Sequence, residues 1–328
     1  MKKRDMHLEF IRVLSCAFVI ILHVSNFYRR NLIIDVINTS YIVSLVINVI
    51  TRISVPLFFM ISGALLMNRK ITFSLKRIKI ALIPLLGWSV VYGLWEIFFK
   101  DTSVHEVVDI VYDPVTKHLW YMYVMIGIYI ALPYMQTLYQ NLAKEAKRNF
   151  LLMWFAILLF TYVSSFFHLE LAYEIPFIGG SSYYFGYFML GAYLYEYKLD
   201  INKYFTGIGC AVCLTYLCVW ALMSDNVEKV LYYKNFFIVI ASACAFHRIL
   251  MIQKVDFNYT WIEKISKCSL GIYYGHIIVL DLFKAYVPFL SMHAIIGVPI
   301  ISFAVFLITY VAVDVYNEMK EKRIEIAK

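Results

Sequence analysis

Residues 7–28 read HLEFIRVLSCAFVIILHVSNFY, an apolar run interrupted by Glu9, Arg12 and His23. Its length matches the ~20 residues a helix needs to cross the hydrocarbon of a bilayer. An ionisable side chain inside such a span costs roughly 2.5–3.5 kcal/mol on insertion scales, so each one needs a reason. Arg12 and His23 are eleven residues apart. On a helix that is just over three turns, which sets both on nearly the same face about 16 Å apart along the axis.

Apolar runs of similar character recur near 41–68, 80–99, 118–139, 149–168, 181–197, 204–223, 231–250, 267–287 and 294–316. The expectation is an all-α, polytopic membrane protein of about ten transmembrane helices, with residues 1–328 forming one membrane domain and no separate soluble domain. Composition agrees. Of the residues, 62% are hydrophobic and 16% charged, with a mean hydropathy of +0.71, whereas a soluble domain carries about 25% charge. The longest connection, about 100–117, is too short to fold alone.

The net charge of +8 sits in short basic clusters between the apolar runs rather than on one continuous face. That argues against a nucleic-acid partner and for a topology signal. With a cytoplasmic N-terminus, 21 of the 30 Lys and Arg residues fall on the inner segments, and the positive-inside rule places both termini in the cytoplasm. Met1-Lys2-Lys3-Arg4 before an apolar stretch resembles a signal peptide, but no small-residue cleavage site follows, so the segment reads as a retained first helix. The six cysteines lie in or at the edges of the runs. The Cys210/Cys213 pair and Cys16 read as packing residues, with no disulfide framework. No metal-spaced Cys/His set, HExxH or phosphate loop occurs, so neither a metal nor a tightly bound cofactor is expected.

Arg12 and His23 suit a donor whose phosphates are held near the cytosol and whose reactive end reaches deeper. Arginine grips phosphate with a bidentate fork, and a neutral imidazole can take a proton from an attacking hydroxyl. Two plainer roles stand beside this one: Arg12 pairing with Glu9 at i,i+3, and His23 bonding a neighbouring helix. Arg52 is a second buried cation, four residues before Pro56. Proline removes a backbone bond, and broken helices at membrane depth usually line cavities. Arg52 therefore reads as holding an anion, or as neutralised by Glu96 or another carboxylate. His118 and Trp120 stand where an acceptor would approach from outside, and also where an interfacial anchor would sit. His276 is mid-span and reads as a supporting polar contact. Asp281 and Lys284 can satisfy each other at i,i+3. Asp314, His7, His105, His168, His247 and His293 are assigned no chemistry.

Four stretches carry a family resemblance. Leu8-Glu9-Phe10-Ile11-Arg12, with Ala17 and His23, resembles the Arg-x10-His signature of the acyltransferase 3 family of membrane acyltransferases. Arg52 to Gly63 (RISVPLFFMISG) resembles that family's second span, His118-Leu119-Trp120-Tyr121-Met122-Tyr123 its fourth, and Ser269-Leu270-Gly271-Ile272-Tyr273 with His276 a late span. The branch it looks most like includes the O-acetyltransferase of enterobacterial common antigen.

The resemblance implies an acyl-CoA donor, commonly acetyl-CoA, and an acceptor hydroxyl on a cell-surface or lipid-linked glycan, in a bacterial inner membrane. It makes His23 the catalytic histidine and Arg12 a donor-orienting residue, and it groups Arg52, Lys76, Arg77 and Lys79 with donor binding. Glu9, His118, Trp120, Tyr273 and His276 become acceptor or supporting residues. Many members have Arg-x-x-Arg where this chain has Lys76-Arg77-Ile78-Lys79, so only Arg77 fits that pattern. Direct transfer and a covalent acyl-histidine relay both remain open, as does homo-oligomerisation. A transporter of a small anion or lipid-linked sugar is the competing reading, weakened because the second half does not repeat the motifs of the first.

Overall fold

The computed structural model describes residues 5–32, 39–100, 114–167, 183–252 and 259–326. Most of the connection expected at 100–117 lies outside them, as do His105 and His168. The described residues are helical, without strands: α1 (Met6–Asn31), α2 (Thr39–Thr51), α3 (Ser54–Leu66), α4 (Leu75–Lys100), α5 (Trp120–Asn141), α6 (Lys144–Phe166), α7 (Tyr184–Tyr197), α8 (Lys203–Met223), the single turn α9 (Val227–Val230), α10 (Phe236–Leu250), α11 (Tyr259–Tyr286) and α12 (Ala294–Ile326).

Six helical stretches among them are long and apolar enough to cross a bilayer: Met6–Asn31, Thr39–Leu66, Leu75–Lys100, Lys144–Ser165, Lys203–Met223 and Ala294–Arg323. The runs expected at 118–139, 181–197, 231–250 and 267–287 are also largely helical. They fall short of that description for two reasons. Helices α7 and α10 are only 14 and 15 residues long, and α5 and α11 are diluted by tyrosine, glutamine and charged side chains.

Local chemistry sets the helix ends. Asp5 caps α1 by accepting from the His7 backbone N–H at 3.0 Å, and Asn202 and Asn235 cap α8 and α10 in the same way at 2.9 Å, as short polar side chains do at a first turn. The apolar run 39–66 breaks at Arg52–Ile53. Pro56 has no N–H to offer the Arg52 carbonyl, and Arg52 instead donates its own backbone N–H three residues back to Val49.

Burial separates inner from outer helices. In the most apolar window of Met6–Asn31 and of Thr39–Leu66, 56% and 61% of residues are buried, against 22–28% for Leu75–Lys100, Lys144–Ser165 and Lys203–Met223. The exposed residues of the outer helices are large and apolar, among them Ile83, Leu86, Val90 and Phe98 on α4 and Ile300, Phe303 and Leu307 on α12. Such a surface is what lipid covers.

Helices α3 and α7 meet backbone to backbone. A Cβ on Gly63 would sit 1.8 Å from the Phe188 carbonyl oxygen, and one on Gly191 would sit 2.1 Å from that of Met60. Only glycine permits that approach. Cross-helix bonds mark two ends of the bundle. At the near end, His7 Nε2 bonds the Ile252 carbonyl at 2.8 Å and Tyr195 donates to Asp5 at 2.9 Å. At the far end, Thr39 meets His293 at 2.9 Å and Lys100 meets Asp281 at 3.0 Å.

Candidate active site

One side of α1 faces a cavity of about 1000 Å³, which it lines with Arg12, Val19, Leu22, His23, Asn26 and Arg30. These residues recur every three, four or seven positions, so they form a single stripe. From Arg12 to Arg30 the stripe covers eighteen positions, about 27 Å at 1.5 Å per residue, close to the ~30 Å of a hydrocarbon core. The opposite wall is an antiparallel stripe that runs from Arg52 through Phe58 and Ser62 to Arg69. Arginines therefore stand toward both ends, with His23 between them.

At the near end, Arg12 Nη1 donates to Glu9 Oε2 at 2.7 Å and to Ser266 Oγ at 2.9 Å, and the Ser266 hydroxyl donates to the same carboxylate oxygen. The i,i+3 pairing expected from the sequence forms, yet it uses one arginine nitrogen. Nε and Nη2 make no hydrogen bond among the described residues. Arg77 also lines the cavity, with its Nη1 buried and unpartnered among the described residues, and Arg69 lines it beside Arg77. Lys76 and Lys79 lie elsewhere, in a shallow groove with Lys320 on the outside of α4. The helix turns them away from Arg77, so the three basic residues do not share one surface.

In the middle, three imidazoles gather from three elements. The His23 ring lies 5.2 Å from that of His276 and 6.4 Å from that of His118, and the last two are 5.4 Å apart, between ring centres. His276 Nδ1 sits 2.7 Å from the Tyr273 carbonyl and 3.1 Å from that of Ile272. Carbonyls only accept, so Nδ1 carries the hydrogen and Nε2 is a bare lone pair. That Nε2, like His118 Nε2, is buried with no partner among the described residues. His118 is fixed by Thr116 Oγ1 at 3.0 Å, and its carbonyl accepts from the Tyr273 hydroxyl. The His23 ring makes no hydrogen bond among the described residues.

Toward the far end, Arg52 reaches away from Arg12 and Arg77. It stands one turn past Asn48, whose amide donates to the Leu22 carbonyl and the Ser25 hydroxyl on α1, both at 3.1 Å. Its guanidinium donates to Asn48 Oδ1 at 3.2 Å, lies 5.7 Å from the centre of the Tyr233 ring, and comes within 3.8 Å of Glu228. Glu228 also binds Arg29, and it accepts from Arg30 at 2.9 Å. Burial opposes ionisation of this carboxyl, but the Arg30 and Arg29 guanidiniums outweigh that and hold it below the usual carboxylate range. Trp120 lines the cavity here, its ring 5.1 Å from Tyr184 and 5.8 Å from Tyr233.

The sequence reading reached Arg12, His23, Arg52, Arg77, His118, Trp120 and Tyr273, all of which line this cavity, together with Glu9 and His276 packed against it. It passed over Asn26, Arg30, Arg69, Lys117 and Glu228. Asn26 and Arg30 extend the stripe of His23 by three and seven positions, a signal present in the sequence. Nothing in the sequence points to Glu228, because its partners are about 200 residues away.

A family model described as an acyltransferase domain, acyltransferase 3, matches residues 7–314. The chain belongs to the acyltransferase 3 family. It is thus a membrane acyltransferase, and the four motifs that carry the resemblance meet around one cavity. No curated protein and no solved structure matches the chain. In chemical terms, this acyltransferase presents arginine donors at one end of the cavity, an unengaged imidazole with an acceptor nitrogen nearby in the middle, and aromatic faces with further cations at the other end.

Proposed function

We propose that the protein is an O-acyltransferase, most simply an O-acetyltransferase, that moves an acyl group from acyl-CoA to a hydroxyl of a cell-surface or lipid-linked glycan. It spans a bacterial inner membrane about ten times, as one domain with both termini in the cytoplasm. The observation that carries this reading is His23 standing between two arginine-bearing ends of one cavity whose stripe approaches the thickness of a bilayer. Donor phosphates lie on Arg12, Arg69 and Arg77 at the cytoplasmic end, and the thioester extends to His23. The acceptor hydroxyl approaches from the far end along Trp120.

The hydroxyl oxygen attacks the thioester carbonyl carbon while His23 takes its proton. The carbon–sulfur bond then breaks, and the departing thiolate takes the proton from the imidazolium to leave as the free thiol of CoA. His276 Nε2, an open acceptor on a ring centred 5.2 Å from that of His23, is placed to take the His23 N–H in the reacting complex, the part a third group plays behind a catalytic base. The three imidazoles at 5.2–6.4 Å support this arrangement.

Binding of labelled acetyl-CoA to the purified protein in lipid discs tests the proposal without knowledge of the acceptor. Saturable binding, weakened by Arg12→Ala and by Arg77→Ala but kept in His23→Ala, is the expected result. If neither acetyl-CoA nor another short acyl-CoA binds the wild type, the proposal fails.

A further inference from the structure

We infer that the far half of the cavity binds an anionic saccharide, one bearing a carboxylate or a phosphate close to the hydroxyl that is acylated. This rests on the proposed function for the direction of transfer and adds the charge class of the acceptor. The ground is a charge imbalance at one place. Arg29, Arg30 and Arg52 all converge on the single carboxylate of Glu228, and Lys117, which also lines this end of the cavity, has no ion pair among the described residues. Among the described residues, four cations against one anion leave an excess of three positive charges.

Arg52 decides the argument. Its side chain is only 11% exposed, and its nearest approach to Glu228 is 3.8 Å, beyond hydrogen-bonding reach. Nε donates to Asn48 and the Tyr233 hydroxyl also partners the guanidinium, so the cation has neutral partners but no hydrogen-bonded anion. A buried cation in that state is costly, and a ligand carboxylate or phosphate is its natural complement. A neutral sugar would bury the same cation without repaying its lost hydration.

The placement fits one sugar residue bound against His23. Arg30 is seven residues beyond His23 on the same stripe, about 10 Å along the axis. Lys117 adjoins His118, whose ring is 6.4 Å from that of His23. Trp120 offers the apolar face of the ring a surface between them. Glu228 then acts as a stand-in, holding Arg29 and Arg30 in place while the site has no acceptor.

The test uses the full chain in discs of zwitterionic lipid, so that no anionic headgroup competes, and measures the binding of cellobiose, cellobiouronic acid and maltose 1-phosphate. An acid probe should bind at least about tenfold more tightly than the neutral one, the scale of one hydrogen bond to a charged group. The preferred acid distinguishes a uronate-bearing glycan from a sugar phosphate such as a lipid-linked intermediate presents. Lys117→Gln and Arg52→Gln should each remove most of that preference, whereas Trp120→Ala should weaken all three probes alike. Should Arg52→Gln fail to fold, Arg30→Gln and Lys117→Gln alter exposed side chains and carry the test. Equal binding of neutral and acidic probes, no binding of any probe at millimolar concentration, or a preference that survives the variants overturns the inference. Acetyl-CoA binding to the wild type is scored separately, so an acceptor site that fails while the donor binds refutes the inference alone.

Discussion

Replacing Gly191 by alanine probes the joint on which the cavity depends. The added Cβ would lie 2.1 Å from the Met60 carbonyl oxygen and 2.3 Å from the Met60 Cα, whereas ordinary contacts begin near 3.4 Å. Both obstacles are backbone, so no rotamer change relieves the clash, and α3 must move away from α7 by about 1.3 Å. Overpacking of this kind costs about 1–3 kcal/mol. Because α3 carries Phe58 and Ser62 of the cavity wall, the movement also displaces the site. A misplacement of about 1 Å can lower turnover on the order of 10²-fold. Gly127→Ala and Gly207→Ala are internal controls: a Cβ at either position meets nothing within 4 Å, and within a helix each change should stabilise by about 0.5–1 kcal/mol. The assay is thermal unfolding of the purified protein with acyl transfer measured on the same samples. If Gly191→Ala melts with the wild type and keeps its turnover, the close approach of α3 and α7 does not hold the site together, and the reasoning is refuted.

Three further outcomes follow from the same geometry. His276→Phe removes the nitrogen behind His23 while filling its space, and it should lower kcat on the order of 10²-fold with little change in acetyl-CoA affinity; an unchanged kcat would exclude an orienting role. Arg69→Ala should weaken acetyl-CoA binding by about 10- to 100-fold, as the loss of a charge-assisted phosphate contact predicts, whereas the same change at Lys76, outside the cavity, should do far less; equal effects at the two positions would place the donor elsewhere. Glu228 titrates below its ordinary value of 4.5, so its ionised form stabilises the fold above that pH, and the contribution is lost as pH falls through the lower, folded value. Glu228→Gln should therefore flatten the acid limb of the stability profile, as read by unfolding from pH 3 to 7; an unaltered limb would mean that the arginines do not depend on this carboxylate.

How much of this was legible in the sequence depends on how local each signal is. Arg12 and His23 stand out because an ionisable group in an apolar run demands a reason, and the period of the helix then sets them on one face. The break near Arg52 is equally local, since Pro56 alone removes the bond. The direction of the Arg52 side chain is not local. The sequence grouped it with Arg12 and Arg77, whereas the structure turns it toward Glu228 and Tyr233, because α2 runs antiparallel to α1 and Asn48 fixes its depth. Lys76 and Arg77 are neighbours in sequence yet point to different surfaces, which a reading by charge cluster cannot separate. The short helix α7 is visible as an apolar run, but its close seat against the core follows from Gly63, Gly186 and Gly191 meeting particular partners. No single-chain periodicity encodes such meetings.

The stripe on α1 has a consequence for the membrane as an insulator. In the proposed membrane setting, a cavity that follows α1 for about 27 Å would thin the barrier that holds back ions. Positive charge stands toward both ends of the cavity, Arg69 and Arg77 at one and Arg30 and Lys117 at the other, and fixed cations of this kind repel protons and metal cations. The arginines that would grip substrates would also keep the passage from short-circuiting the membrane potential whenever it stands empty.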